Sequence, residues 1–479
     1  MTTPGKRVSS PLPPSLPEGF LSALDRAMAR SARLLTDPAA LEAYAWDNTG
    51  IRFRPQVVVI ATTTDDVAKT LALCHARGVA VIPRGAGTGN VGGALAVRGG
   101  LVLSTQRMNR IHEIRPQDRL AVVEPGLVNA DLQVALKPHR LFWPPDPSSA
   151  RACTIGGNIA MCAAGPNAPR YGVTRDWVLG LEAVLPDGTL IQTGGRTTKG
   201  VVGYDLTRLL IGSEGTLAVV TRAILRLAPL PAARRLLRAA FASVSSAVQA
   251  ISALMAEGTP PTAIEFMDPA CLDILRQGGN VALPHDARAM LLLEVSGDSD
   301  VVATLAQHTL AALEPFQPLE VLQATTPEEA AKVWEARYAM APTLKKIAPR
   351  RINEDVVVPV SRLPELIDGL ATIARESGIP IVNFGHGGNG NIHVNLLADP
   401  HNPHSLDHVG PVLDRVFSLV LALDGTLSGE HGVGIQKMAF IDREIPPHSL
   451  DLQRRIKDLF DPKGILNPGK IFPPRQQAL

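Results

Sequence analysis

Two short stretches concentrate the side chains that could do chemistry. Gly385-His386-Gly387-Gly388-Asn389-Gly390-Asn391-Ile392-His393-Val394-Asn395 sets two imidazoles seven residues apart across a run of glycines. Ser428-Gly429-Glu430-His431-Gly432-Val433-Gly434 offers a carboxylate and a further imidazole, again framed by glycines. Two histidines and a glutamate are a common ligand set for a catalytic Zn²⁺, with one coordination position left for a substrate. An additional imidazole, with an unperturbed pKa near ~6.5, is suited to remove a proton at neutral pH. By spacing alone, a solvated or hydrogen-bonded structural role stays open for each histidine.

A different chemistry belongs to Pro83-Arg84-Gly85-Ala86-Gly87-Thr88-Gly89-Asn90-Val91-Gly92-Gly93, which follows the apolar run Val79 to Ile82. Glycines there let backbone amides turn toward an anion and approach it closely, as the pyrophosphate of a dinucleotide requires. Gly87 to Gly92 matches G-x-G-x-x-G, the fingerprint of nicotinamide-binding folds, but that fingerprint needs a helix directly after the glycines. Here Gly99-Gly100 stop any helix, and Leu101-Val102-Leu103-Ser104 reads as another strand. Strand, loop and strand argue against the nicotinamide unit. A second loop, Pro144-Pro145-Asp146-Pro147-Ser148-Ser149, leads into Cys153-Thr154-Ile155-Gly156-Gly157-Asn158, and small residues continue to Gly165. They allow close backbone approach to a ligand, with tight helix packing as the alternative. Lys199-Gly200-Val201-Val202-Gly203-Tyr204-Asp205-Leu206 and Ile211-Gly212-Ser213-Glu214-Gly215-Thr216-Leu217 complete the glycine-rich set.

These residues must be positioned by regular elements. Apolar runs on both sides of Gly385–Asn391 predict a hairpin that brings His386 and His393 together. Upstream, the spacing predicts a helix over roughly Gly19 to Leu35, a strand over Gln56–Ala61, and a helix capped by Thr64 that carries Val67, Leu71 and Cys74. Asp187-Gly188 predicts a hairpin turn within Leu181–Ile191. Thr326-Pro327-Glu328-Glu329 has the form of a capping box opening a helix that carries Trp334 and Arg337 and ends near Pro342. Leu452, Ile456, Leu459 and Phe460 fall at helical spacing before Asp461-Pro462. The style of the chain changes near Leu227–Pro231, a domain boundary, and no internal repeat is visible.

Composition narrows the field. A chain of 479 residues implies two or three domains, and a net charge of +2 gives no electrostatic case for nucleic acid. Four cysteines without a C-x-x-C pair fit a reduced compartment and small buried side chains. The proline-rich start lacks the apolar core of a secretory signal, and no run nears the ~18 residues of a membrane span. A cytoplasmic protein is expected, with peripheral docking at the inner face of the membrane left open.

The ordered motifs P-R-G-x-G-T-G, T-I-G-G-N, K-G-V-V-G-Y-D-L and G-S-E-G-T-L resemble the FAD-linked oxidases of the vanillyl-alcohol-oxidase type, from about Asp47 to the C-terminus. The resemblance implies an α+β fold: a two-subdomain FAD-binding domain (19–230), a substrate or cap domain with an antiparallel sheet (231–440), and a C-terminal helical segment (441–479) that packs back on the FAD domain. Residues 1–18 are expected to be disordered. It implies cofactor contacts from Pro83, Arg84, Gly85, Ala86, Gly87, Thr88, Gly89, Pro147, Ser148, Thr154, Gly156, Gly157, Asn158 and Gly215. Some relatives link the flavin through a histidine where Thr88 stands, so FAD should be non-covalent here. Ala218 replaces a glycine common in the family.

H-G-x-x-x-N-x-H-x-N followed by G-E-H-G-x-G resembles the D-2-hydroxyacid dehydrogenase branch. By that resemblance His386, His393 and Glu430 would bind a divalent metal, Zn²⁺ foremost and Mn²⁺ second. His431 would be the general base, while Asn395 and Arg337 would hold the substrate; an exposed helix arginine is the alternative for Arg337. D-lactate is the favoured substrate. Glycolate, as for a multi-subunit relative, and D-2-hydroxyglutarate are the alternatives. Asn353 stands where hydroxyglutarate-type relatives carry a lysine, and Glu354 and Asp355 beside it would repel a second carboxylate, although Lys345, Lys346, Arg350 and Arg351 could compensate. A metal-free flavin alcohol oxidase and a non-catalytic flavin subunit are the remaining readings. The reaction needs an external acceptor: a quinone, a cytochrome or an electron-transfer flavoprotein. Oligomeric state stays open, a homodimer included.

Overall fold

The computed structural model describes residues 15–28, 32–278, 283–324, 326–348, 350–398 and 403–474. Residues 1–14 of the expected disordered segment lie outside the described residues, as do the side chains of Lys345 and Arg350. The chain divides into two compact units. One comprises Pro166–Tyr171 and Pro231–Gly429; the other holds the described residues up to Gly165, then Gly172–Leu230 and Glu430 onward.

The second of these units begins with a helix, Phe20–Ala27, followed by strand β1 (Arg33–Leu35), so the expected helix to Leu35 is cut short. The reason is pairing: Arg33 to Leu35 add to the edge of β2 (Val57–Ile60) as an antiparallel partner. Next comes the helix Thr64–Arg77, whose cap is Thr63 rather than Thr64; the Thr63 hydroxyl accepts from the amide of Asp66, and Asp66 accepts from the amide of Thr63. Val67, Leu71 and Cys74 are buried beneath it. It returns the chain to β3 (Val81–Arg84), and the glycine loop then leads to β4 (Leu101–Ser104). β4 inserts between β2 and β3, parallel to both, giving the order β1-β2-β4-β3.

The rest of this unit is antiparallel. Its strands are β5 (Ile111–Arg115), β6 (Leu120–Val123), β7 (Leu141–Phe142), β8 (Val178–Val184), β9 (Leu190–Gly194), β10 (Val219–Arg226) and β11 (Ala228–Pro229). Five of them form a sheet in the order β5-β6-β10-β8-β9, and β7 pairs with β11. β8 and β9 are the two arms of the hairpin expected around Asp187-Gly188.

The other unit is built on one seven-stranded sheet. Its strands are β12 (Ala233–Phe241), β13 (Ala263–Met267), β14 (Ala289–Gly297), β15 (Glu320–Ala324), β16 (Arg350–Val357), β17 (Ile381–His386) and β18 (Asn391–Ala398). They lie in the order β15-β12-β14-β13-β17-β18-β16, every neighbouring pair antiparallel. Its core gathers Met267, Met290, Leu292, Val382, Phe384 and Leu397 from the strands with Val333, Met340 and Leu344 from the helix Pro327–Ile347. That helix opens on the expected capping box at Thr326 and Glu329, but it continues past Pro342 to Ile347. A proline inside a helix removes one backbone bond; burial of Met340 and Leu344 on either side of it holds the last turns in place.

The chain ends on the helix Pro447–Phe460 and a segment through Asn467 and Lys470. Asn467 donates to the carbonyls of Gly93 and Glu214, and Lys470 to that of Leu95, which ties this segment to the glycine loop and to Glu214. Leu452 and Leu459 are exposed on the helix, so its apolar spacing marks a helix without marking a buried face.

Candidate active site

In the unit carrying the glycine loop, a cleft holds about 1300 Å³ of free space, solvent at its mouth included. Its walls include Pro83, Arg84, Gly85, Ala86, Gly87, Thr88 and Gly89 from one loop, and Pro147, Ser148, Thr154, Gly156, Gly157 and Asn158 from the next. Gly215, Glu430 and His431 also face it.

Three of these residues do more than line the wall. Arg84 is buried, and its guanidinium donates to the carbonyls of Trp46 and Ala94 while lying over the Tyr44 ring. It braces the loop from behind, and burial lowers its pKa. Gly87 has φ +72, and a Cβ there would meet Arg84 Nη2 at 2.2 Å, so the loop's course requires glycine at this point. Gly156, in the first turn of the helix Ile155–Met161, leaves no room for a Cβ, which would stand 2.6 Å from Pro125. The small residues therefore serve helix packing as well as access to the cleft.

The loop Gly432–Gly434 is held from below. Glu214 is buried, with its carboxylate accepting from the amides of Val433 and Gly434. Burial raises its pKa, and these two amides together with Lys470 and Lys437 oppose the rise. Burial in turn lowers the Lys470 ammonium to about 8. Asn90, in the glycine loop, brings its Nδ2 to 3.1 Å from His431 Nε2, and Asn48 donates to Asn90 Oδ1. Composition and motif spacing gave no sign of this Asn48–Asn90–His431 chain.

The remaining candidates lie on the large sheet, and register explains how they meet. In the β17–β18 hairpin His386 stands opposite Asn391, and Phe384 opposite His393. Cross-strand partners share a face, so His386 and His393 are diagonal neighbours on one face. Their ring centroids lie 5.4 Å apart with planes at 83°. β13 sets Glu265 opposite His386, and β16 sets Asp355 opposite His393 and Asn353 opposite Asn395.

Each of these neighbours is put to use. Glu265 is fully buried; Oε1 accepts from His386 Nδ1 and Oε2 from Arg337 Nε. Burial pushes its pKa upward, but the charges and hydrogen bonds of His386 and Arg337 outweigh that and hold the carboxyl well below its usual range. Arg337 takes the place of an apolar residue in the stripe Val333, Arg337, Met340, Leu344, and its guanidinium lies 4.6 Å over the Phe384 ring. With 13% of its side chain exposed, it is not a solvated helix arginine. Asn395 is buried; its Nδ2 donates to the carbonyls of Val382 and His393, and among the described residues its Oδ1 has no partner. Asp355 accepts from Ser428 Oγ and from the Gly429 amide. It fixes the residues just before Glu430, whereas Glu354 points to the opposite face. The pair is therefore not a double charge beside Asn353.

Through that clamp the chain passes from Gly429 directly to Glu430. Two imidazoles and a carboxylate suit Zn²⁺ or Mn²⁺. With Nδ1 of His386 bonded to Glu265, Nε2 is the nitrogen that would take an ion. A histidine ligand whose second nitrogen donates to a carboxylate is the usual arrangement at metal centres, so the residues fit a divalent ion.

The fold and cleft define an oxidoreductase that works with a dinucleotide cofactor. The model of the FAD binding domain matches residues 55–194, and that of the FAD linked oxidases, C-terminal domain, matches 230–471. Glycolate oxidase subunit GlcD of Bacillus subtilis is 38% identical over 430 residues, spanning 90% of this chain and 92% of the relative. A D-lactate dehydrogenase of Archaeoglobus fulgidus is 34% identical, spanning 90% and 95%. A probable mitochondrial D-lactate dehydrogenase of Danio rerio is 33% identical, spanning 91% and 88%. Among solved structures, p-cresol methylhydroxylase superposes with a TM-score of 0.81 over 96% of this chain and 98% of that one, at 15% identity, which speaks to the fold alone. The chain belongs to the FAD-linked oxidases and is an FAD-dependent oxidoreductase of mixed helix and sheet, as its motifs implied.

Proposed function

We propose that the protein oxidises a D-2-hydroxy acid, D-lactate foremost, to the 2-oxo acid. The pairing of His386 with His393 on one face of the sheet, with Glu430 directly after the clamped Gly429, carries this reading. The D-lactate dehydrogenases among its relatives support it. FAD, when bound, supplies the hydride acceptor. A divalent ion on His386 Nε2, His393 and Glu430 would supply Lewis acidity toward the substrate hydroxyl.

The protein's own groups do the rest. Because Asn90 Oδ1 accepts from Asn48, Asn90 Nδ2 is the donor to His431 Nε2 and orients the ring; as general base, His431 would take the substrate proton at that nitrogen once the substrate hydroxyl replaces Asn90 there. Arg337 has spent Nε on Glu265 and presents its two Nη groups, the edge that grips a carboxylate through parallel bonds. Asn395 Oδ1 offers an acceptor to the substrate hydroxyl. Residues 19–230 serve as the FAD-binding domain, 231–440 as the substrate domain and 441–479 as the returning segment. Thr88 cannot form a flavin link, so denaturation with acid should release all of the FAD.

The glycolate oxidase subunits among the relatives favour a second reading, oxidation of glycolate. Turnover needs an external acceptor: a quinone, a cytochrome or an electron-transfer flavoprotein. No described helix is long and apolar enough to cross a membrane; independently of that, we place the protein in the cytoplasm.

The test is anaerobic bleaching of the flavin by D- and L-lactate, glycolate and D-2-hydroxyglutarate, before and after chelation and with Zn²⁺ or Mn²⁺ restored. Bleaching by D-lactate that chelation removes is expected. Faster bleaching by glycolate would favour the second reading, and indifference to chelation would remove the metal. No bleaching by any acid would leave a non-catalytic flavin subunit.

A further inference from the structure

Glu265 has no place in the proposed reaction as ligand, base or substrate contact, yet it is fully buried on β13 with both oxygens committed, to His386 Nδ1 and to Arg337 Nε. Its position opposite His386 puts the two side chains on one face of the sheet, and Arg337 reaches that face from the helix Pro327–Ile347, seated on Phe384. Burying a carboxylate costs several kcal/mol before its partners repay it. A leucine would suit Ala263 and Met267, the buried apolar neighbours on the same face, better, so the charge needs a reason beyond packing.

We propose that Glu265 is a positioning residue that locks the candidate metal ligand His386 and the candidate carboxylate anchor Arg337 to one another. It thereby fixes the spacing at which the hydroxyl and carboxylate of one substrate are held. This rests on the reading given under Proposed function. Each partner commits one N–H to Glu265. An ion would be taken by His386 through Nε2, and a carboxylate by the paired Nη groups of Arg337. Rotation of either anchor breaks a bond to Glu265. A 2-hydroxy acid carries hydroxyl and carboxylate on adjacent carbons and a 3-hydroxy acid one carbon further apart, so anchors held at one fixed spacing would discriminate between them through Glu265.

The test uses the FAD-loaded full chain with Glu265→Gln and Arg337→Met, with flavin absorbance and thermal melting to verify folding. Zn²⁺ affinity is read by competition with a chromophoric chelator. KM and kcat are read for D-lactate, and for 2- against 3-hydroxybutyrate. Glutamine has one acceptor and an NH₂ group that confronts the other donor. Glu265→Gln should therefore weaken Zn²⁺ binding by roughly 10- to 100-fold, raise KM and narrow the preference for the 2-hydroxy acid. Arg337→Met never touches the ion, yet by releasing one end of Glu265 it should weaken Zn²⁺ about threefold or more; it keeps the proposal open to refutation if Glu265→Gln does not fold. Wild-type Zn²⁺ affinity in a folded variant, or an unchanged KM in Glu265→Gln, overturns the role of Glu265 while the wild-type metal site stands. A wild-type chain that takes up no Zn²⁺ overturns the metal reading itself, and this inference with it.

Discussion

The cleft of the glycine-loop unit is walled by residues with little or no side chain, Gly85, Ala86, Gly87 and Gly89 among them, whereas the site on the large sheet is made of side chains, His386, His393, Glu265 and Arg337. The first offers backbone amides, so it depends on φ angles and on the absence of Cβ atoms. The second depends on strand register, which decides which side chains share a face. A substitution therefore harms the first by adding atoms and the second by removing them.

The largest effect is expected at His431. His431→Ala should keep the flavin spectrum and slow flavin reduction by about 10²- to 10⁴-fold, the usual worth of a general base; rapid-mixing reduction of normal speed would end that assignment. On the sheet side, Asp268 is buried and caps the next helix, accepting from the amides of Cys271 and Asn383. Burial lifts it to about 6 although those bonds oppose the rise. The folded chain then holds that proton more tightly than the unfolded one. The associated stability is complete below the ordinary aspartate value of ~3.9 and is lost as pH climbs through about 6. The fall should be at most about 3 kcal/mol, and Asp268→Asn should flatten it in urea unfolding followed from pH 4 to 7.

A smaller effect tests the backbone side of the comparison. Gly87→Val places a branched side chain at φ +72, a strain of about 1–3 kcal/mol. FAD affinity should drop roughly 10- to 100-fold, read from flavin fluorescence on titration; a fully loaded variant would mean that the amides there do not hold the cofactor. Smallest are the capping boxes, the one device both units share. Thr63→Ala and Thr326→Ala should each cost about 1 kcal/mol by denaturant unfolding. A much larger loss at Thr326 would show that helix placement on the sheet depends on its cap.

The same contrast decides what could be read before the fold was known. The glycine loop was legible because its meaning is local: a strand, a run of glycines and a second strand in consecutive residues. The two histidines were legible because a hairpin is also local. Glu265 was not, since its partners lie 72 and 121 residues further along the chain. Its one signal is a lone charge inside the apolar run Ala263-Ile264-Glu265-Phe266-Met267. Asp355 read as a repelling charge; its local task, accepting from Ser428 and Gly429, was not legible because those partners lie far along the chain. Pro342 read as a helix end because the burial of Met340 and Leu344 is a tertiary fact. Leu452 and Leu459 read as helical by their spacing, and the helix forms although both are exposed.

The hairpin that pairs His386 with Asn391 has a genetic consequence. Side chains alternate between faces with a period of two, so dropping a single codon from the Gly387–Asn389 turn slides β18 by one position. His393 and Asn395 would then exchange faces with Ile392 and Val394, and the substrate-handling surface would be turned inside out while the FAD-binding half kept its colour. One in-frame deletion thus yields a yellow, silent protein.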